Sequence, residues 1–188
     1  MENNNLKQTI FERLSRGAFV CSNSASREQQ RLFRYIDEHY SELYDYYEQI
    51  GYRLTQGDEY YYFTRNESKA DLQRKIEKAF RWIDYIDFFK TYDSAFTVGY
   101  RFAPEDIAVK LKVNASLKTK LKQLQKSLKE SIEMDTIKKL IDELRKDGYI
   151  EMENEVSNTY KVLSSFYYLE SLILNINLSE DVTDEISQ

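Results

Sequence analysis

The sequence predicts a mainly α-helical protein with small β-hairpins, in the α+β class, built as two domains joined by a long helix. Apolar residues recur at helical spacing along most of the 188 residues. Two β-prone hairpins each follow a helix that ends at a glycine, and this order occurs twice, about ninety residues apart. We therefore predict domains at 1–67 and 93–176, a connecting helix at 68–92, and a flexible acidic tail at 177–188.

The first domain is predicted from the order of its local patterns. A helix with apolar residues at helical spacing ends at Gly17, and a short strand at 18–21 follows. Ser26 begins the next helix, because Ser-x-x-Gln is a capping-box pattern. A third helix ends at Gly51, and whether 37–41 is a turn or a bend within one long helix stays open. The third helix carries Tyr40, Leu43, Tyr44, Tyr47 and Ile50.

A β-hairpin is predicted directly after the third helix. The β-prone runs at 52–55 and 60–64 flank a four-residue turn that contains Gly57. The order over 5–65 is then helix, strand, helix, helix, hairpin. This is the order of a winged helix, a helix-turn-helix followed by a two-stranded wing.

The second half begins with a long helical pattern at 68–92, a short strand at 96–98, and a helix that starts at Pro104. A clear amphipathic helix at 115–130 follows, with leucines along one side. The apolar residues that carry the long helical pattern are Leu72, Ile76, Phe80, Ile83, Ile86 and Phe89.

The helix–hairpin order then returns near the end of the chain. A helix ends at Gly148, and β-prone runs at 149–152 and 159–163 form a second hairpin. A last helix is expected at 166–176, and the acidic tail at 177–188 is expected to fray. We therefore predict tandem winged-helix domains.

Composition excludes several kinds of protein. A single cysteine (Cys21) and a single histidine (His39) exclude a disulfide framework, a zinc finger and a Cys–His catalytic pair within one chain. We expect Cys21 to be buried and His39, beside Glu38, to be solvated, so no catalytic residue, metal or cofactor is predicted. No stretch approaches the roughly 20 apolar residues that cross a membrane, and no secretory signal is visible. The sequence thus predicts a non-enzymatic cytoplasmic protein.

Several segments resemble the MukE/MksE family of bacterial condensin subunits. The segment 32–65, which ends in YEQIGYRLTQGDEYYYFTR, has the family's aromatic helix, acidic turn and wing. The segments 14–20 (LSRGAFV) and 140–150 (LIDELRKDGYI) are similar to its first helix-to-strand junction and to its second-domain helix exit. The chain is shorter than MukE and lacks much of its acidic C-terminal extension, which favours the MksE-like branch.

The resemblance implies a kleisin-interacting tandem winged-helix element. Such a subunit is a non-enzymatic homodimer that binds the kleisin of an SMC ATPase complex and, through it, the SMC ATPase. It then assists chromosome condensation and segregation, and it is cytoplasmic and associated with the nucleoid.

A lysine-rich helix is the candidate DNA contact in this chain of net charge −5. Seven lysines and no acidic residue lie between positions 110 and 129. Four of them share one helical face about 100° from the leucines, so they can contact phosphates without sequence preference. The alternative is an ordinary solvated helix face. We call these four residues the lysine ridge: Lys118, Lys122, Lys126 and Lys129.

The helices that precede the two hairpins are poorly suited to DNA. Residues 41–50 contain three acidic residues and no Lys or Arg, and acidic residues also interleave with the basic ones at 135–147. This composition counts against the alternative function, a winged-helix transcription regulator that reads an operator. A protein-docking role is favoured instead, and the candidate interface residues are Tyr40, Tyr44, Tyr47 and Tyr61.

Overall fold

The computed structural model describes residues 2–65 and 68–175. The first half contains α1 (Glu2–Leu14), β1 (Val20–Cys21), α2 (Arg27–Glu38), α3 (Tyr40–Glu48), β2 (Arg53–Gly57) and β3 (Tyr60–Thr64). The second half contains α4 (Lys69–Tyr92), β4 (Arg101–Phe102), α5 (Pro104–Leu111), α6 (Ala115–Leu128), α7 (Glu133–Lys146), β5 (Ile150–Asn154) and β6 (Thr159–Val162). A further helix, α8, is described over 166–175. The mainly helical class with small antiparallel sheets is confirmed, and the tail at 177–188 lies outside the described residues.

The helices begin and end at the capping residues that the sequence indicates. Ser26 precedes α2, and its hydroxyl accepts a hydrogen bond from the Gln29 backbone N–H. Gly17 follows α1 with a φ of 81°, in the left-handed region that glycine enters without steric cost. His39 alone separates α2 from α3, so the segment left open in the sequence is a turn between two helices.

Each half contains a three-stranded antiparallel sheet with the same order. The strands are arranged β1-β3-β2 in the first half and β4-β6-β5 in the second. The strand predicted at 96–98 is wrong, because Asp93 accepts hydrogen bonds from the Ala95 and Phe96 backbone N–H groups and forms a turn there. The Phe96 ring is buried and stacks on Phe89, and the pairing strand, β4, lies a few residues later.

Two apolar cores lie under the two sheets. The first is formed by α1, α2, α3 and the first hairpin. The second is formed by α4 to α8 and the second hairpin, and it includes buried α4 residues such as Trp82 and Phe88. The second half of α4 is therefore part of the second core.

The apolar residues in the first half of α4 do not lie on the side of the helix that the core contacts. Leu72, Ile76 and Phe80 are exposed, whereas Tyr85 and Phe88 point into the core. Both faces of this helix carry apolar residues, and the core contacts the aromatic one.

The two halves meet at an aromatic and polar junction. The Phe19 ring lies 5.7 Å from Tyr149 and 5.5 Å from Tyr168, measured between ring centroids. The Asn23 side chain donates to the Val162 carbonyl at 3.1 Å and accepts from the Ser164 N–H and hydroxyl at 2.9 and 2.8 Å. These contacts fix the second hairpin against the loop that follows β1.

Candidate functional site

Helix α6 holds the lysine ridge on the surface of the second half. Asn114 caps its start by accepting the Leu117 backbone N–H at 3.0 Å. The leucines of its inner side, Leu117, Leu121 and Leu124, are buried in the second core. Because this side is fixed, the opposite part of the helix is presented to solvent at a defined position.

The ridge lysines are exposed to solvent. Lys118, Lys122 and Lys126 project from consecutive turns of α6, and no ion pair is recorded for them within residues 2–65 and 68–175. Lys120 differs, because it forms an ion pair with Asp87 of α4. Lys129 is also exposed, but it is the C-cap residue, with a φ of 56°. The helix itself ends one residue earlier, at Leu128. The lysine ridge therefore consists of three lysines in a row on α6 and a fourth lysine just after the helix.

Two of the four basic residues of α7, Lys139 and Arg145, are held by neighbouring groups. The Arg145 guanidinium contacts Asp142 at 3.0 Å, and the Lys139 ammonium contacts Glu130 at 2.8 Å and the Leu128 carbonyl at 3.0 Å. Lys139 therefore joins α6 to α7. This helix, which directly precedes the second hairpin, presents a mixed surface.

Helix α3 presents an acidic surface next to the first hairpin. Glu42 forms an ion pair with Lys7, and its hydrogen bond with Lys7 lowers the pKa of the Glu42 carboxyl. Asp45 and Glu48 are also exposed, and Glu48 lies 3.9 Å from Arg53. This side of the first half repels phosphate.

Two of the four candidate interface tyrosines belong to the core. Tyr47 and Tyr61 are fully buried, and their hydroxyls donate to the Lys7 carbonyl and to Asp37 at 2.8 and 2.9 Å. Burial raises the pKa of both hydroxyls. Both rings pack among α1, α3 and the first sheet. A role for them in a protein interface stays a prediction. Tyr40 and Tyr44 are half-buried and keep one edge at the surface.

Sequence reasoning missed the apolar residues that α3 does expose. Tyr46 of α3 is 48% exposed, and Ile50, in the turn that follows the helix, is 51% exposed. Ile50 lies two residues beyond Glu48, where α3 ends. Spacing in a helix of nine residues does not distinguish the two sides, since both carry tyrosines.

The single cysteine and histidine have structural surroundings. Cys21 is buried, and burial raises the pKa of its thiol. His39 stacks on the Tyr35 ring at 4.4 Å between centroids, and its Nδ1 lies 3.1 Å from the Tyr35 carbonyl. Within the part of the chain that is described, no helix is long and apolar enough to span a bilayer.

Comparison with known proteins places the chain in one family. A search of curated proteins found no match. The family model of condensin complex protein MksE matches residues 5–173, which is most of the chain. The match includes both hairpins, α4 and the lysine ridge. The chain therefore belongs to the MksE family of condensin complex proteins.

Proposed function

We propose that this condensin subunit is a non-enzymatic accessory protein that binds the kleisin of an SMC ATPase complex and contacts DNA without sequence preference. Its place of action is the nucleoid, in the cytoplasm, where the complex condenses and partitions chromosomes. The observation that carries the DNA contact is a row of exposed lysines, without ion-pair partners among the described residues, on a helix fixed by buried leucines. Membership of the MksE family supports the role in the complex.

The distribution of charge supports docking of protein on the hairpin side. Helix α3 carries acidic side chains, and α7 carries acidic side chains among its basic ones, so neither matches the phosphates of a DNA groove well. Exposed Tyr46 and Ile50, beside the edges of Tyr40 and Tyr44, offer apolar contact area on α3. Tyrosine is enriched at the centres of protein interfaces. We therefore assign this face to a protein, either the kleisin or a second copy in a homodimer.

The DNA contact is tested with two variants of equal charge. The ridge variant carries Lys118→Gln, Lys122→Gln and Lys126→Gln, and the control carries Lys138→Gln, Arg145→Gln and Lys146→Gln on α7. Affinity for random-sequence duplex DNA is measured at several salt concentrations, with the chain alone and within the assembled complex.

The ridge variant should weaken DNA binding for all sequences alike. The slope of log affinity against log salt should fall by up to about 2.7 units, since each phosphate contact adds about 0.9. The α7 control should keep most of the affinity and slope. If the two variants lose the same DNA affinity, or if the ridge variant loses none, then the ridge does not contact DNA.

Protein binding is tested separately from DNA binding. Kleisin co-purification should survive the ridge substitutions, because exposed substitutions usually change stability by about 0.5 kcal/mol or less. It should weaken with Tyr46→Ala and Ile50→Ala if the α3 face holds the kleisin. Sedimentation of the chain alone should give about twice 22.5 kDa if it dimerises. Loss of dimer but not of kleisin binding in the α3 variant would assign this face to the second copy.

A further inference from the structure

The first half of α4 carries an apolar stripe that packs on neither core of the described chain. Leu72, Ile76 and Phe80 are 53%, 43% and 44% exposed, and their spacing of four places them along one side of the helix. Every residue at 72–78 is exposed. Helices in proteins are stabilised mainly by packing of an apolar side, so this α4 stripe is suited to contact an element outside residues 2–65 and 68–175.

Helix α3 and the turn after it present the second exposed apolar surface, the α3 face. It consists of Tyr46 and Ile50 with the neighbouring acidic side chains of α3. The Lys7 ammonium lies over the Tyr46 ring, 5.5 Å from its centroid, and pairs with Glu42. The Tyr46 ring is therefore already held in position when a partner arrives, which lowers the entropic cost of binding.

The two surfaces carry opposite charge. Residues 40–50 contain three acidic residues and no lysine or arginine, a net charge of −3. Residues 69–81 contain five basic and two acidic residues, a net charge of +3. Lys69 and Lys75 each lie three positions from Leu72, so both border the α4 stripe. Contact between an α3 face and an α4 stripe is therefore favoured over contact between two α3 faces or two α4 stripes.

The two surfaces lie at the same end of the first half. Arg53 pairs with Thr64 across the first hairpin, and both line a groove of about 360 Å³ together with Glu48 and Arg65. Glu48 ends α3, and Ser68, which caps α4, is four residues after Thr64, at most about 14 Å away. One neighbouring molecule can therefore contact both the end of α3 and the start of α4.

A second copy of this chain has both complementary surfaces. In a dimer with twofold symmetry, a contact between the α3 face of one copy and the α4 stripe of the other occurs twice. Both apolar surfaces of each copy are then covered, and the symmetry closes the assembly at two chains.

We propose that the α4 stripe packs against the α3 face of a second copy, so that two copies exchange these contacts in a closed dimer. This inference rests on the assignment of the α3 face to a protein under the proposed function. It names the second copy, and not the kleisin, as the protein that covers this face.

The exchange is tested by reversing the charges of one surface at a time in the full chain. The α3 variant carries Asp45→Lys and Glu48→Lys, and the α4 variant carries Lys69→Glu and Lys75→Glu. Sedimentation is measured for each variant alone and for their equimolar mixture. Each variant alone should have a dimer dissociation constant raised more than about tenfold, because like charges then face each other in both contacts. The mixture should form dimers, since each variant supplies the charge that the other requires.

A control with reversed charges on another surface carries Lys138→Glu and Lys146→Glu on α7, and it should dimerise like the unaltered chain. If only the α3 variant or only the α4 variant loses the dimer, or if the mixture stays monomeric, the exchange is wrong. An unaltered chain that is monomeric at all concentrations would also overturn it. Kleisin co-purification is measured in parallel and judges the proposed function separately. An α3 variant that keeps the dimer but loses the kleisin would give the α3 face to the kleisin.

Disulfide trapping gives a second measurement that does not depend on charge. A Tyr46→Cys chain mixed with an Ile76→Cys chain should cross-link under mild oxidation, whereas either chain alone should not, because residue 46 faces residue 76 of the other copy. The matched control mixes Tyr46→Cys with Arg74→Cys, on the opposite side of α4. Cys21 is buried and does not compete. Equal yields in the two mixtures would contradict the exchange.

Discussion

Asn23 is the polar centre of the junction between the two halves, and its removal gives the sharpest stability prediction. Its side chain makes three hydrogen bonds to Val162 and Ser164, both fully buried. Asn23→Ala leaves the Val162 carbonyl and two Ser164 donors without these partners. With a net value of about 1 kcal/mol for each bond, we expect a loss of about 3 kcal/mol in the free energy of unfolding.

The loss is measured by urea unfolding followed by circular dichroism. With a slope of about 2 kcal/mol per molar, the midpoint should fall by about 1.5 M. The matched control is Asn5→Ala, at an exposed position on α1, which should change stability by no more than about 0.5 kcal/mol. If the two variants lose the same amount, the junction contributes no stability through Asn23.

A double-mutant cycle separates this contact from general damage. Ser164→Ala removes the hydroxyl that donates to the Asn23 side chain. The double variant should be less destabilised than the sum of the two single variants, by about 1 kcal/mol. Strict additivity would show that the two side chains do not interact in solution.

Two further predictions concern pH and surface charge. Burial raises the pKa of Tyr60 to about 12, whereas the pKa of tyrosine in an unfolded chain is about 10. The stability that the buried neutral hydroxyl contributes is therefore complete below about pH 10 and is lost as the pH rises to about 12. Urea midpoints should therefore fall across this window, and less steeply in Tyr60→Phe. Reversing the acidic residues of α3 should raise non-specific DNA affinity, measured by anisotropy: Glu42→Lys, Asp45→Lys and Glu48→Lys.

Much of the fold is predictable because its boundaries are set by neighbouring residues. Ser26 caps α2 through a residue three positions away, and Pro104 begins α5 at the first helical position. Gly148 follows α7 with a φ of 77°, which a glycine adopts without strain. These capping effects depend on residues within one helical turn of each other. Helix boundaries can therefore be predicted from the sequence alone.

The packing of α4 is not predictable in this way. Periodicity identifies an apolar side through Ile76 and Phe80, but α4 has a second apolar side that includes Trp82 and Phe88. The choice between them depends on α7 and β5, which are distant in sequence: Tyr85 donates to Glu143 and Trp82 contacts Tyr149. Long-range contacts therefore decide which side is buried, and the side that carries Leu72, Ile76 and Phe80 is left exposed.

The many tyrosines were interpreted as interface residues for a related reason. The prediction assumed two separate small cores, whereas the structure has an aromatic junction between its halves. Tyr62 and Tyr149 lie in the cluster of rings around Phe19, together with Tyr168. An internal interface uses tyrosine for the same physical reason as an external one, since the ring is apolar and the hydroxyl finds a partner. Composition does not distinguish the two.

The net charge of −5 does not oppose DNA binding through the ridge, because charge acts locally in salt solution. At physiological ionic strength the Debye length is about 8 Å, so charges further away than this are largely screened. The acidic side of α3 lies in the first half, whereas Lys118, Lys122 and Lys126 lie on α6 in the second. A phosphate at the ridge is therefore attracted mainly by the lysines within a turn or two of it. One chain can then present a basic surface to DNA and an acidic, tyrosine-bearing surface to a protein. Raising the salt concentration weakens DNA binding at the basic surface far more than it weakens apolar contacts at the protein-binding surface.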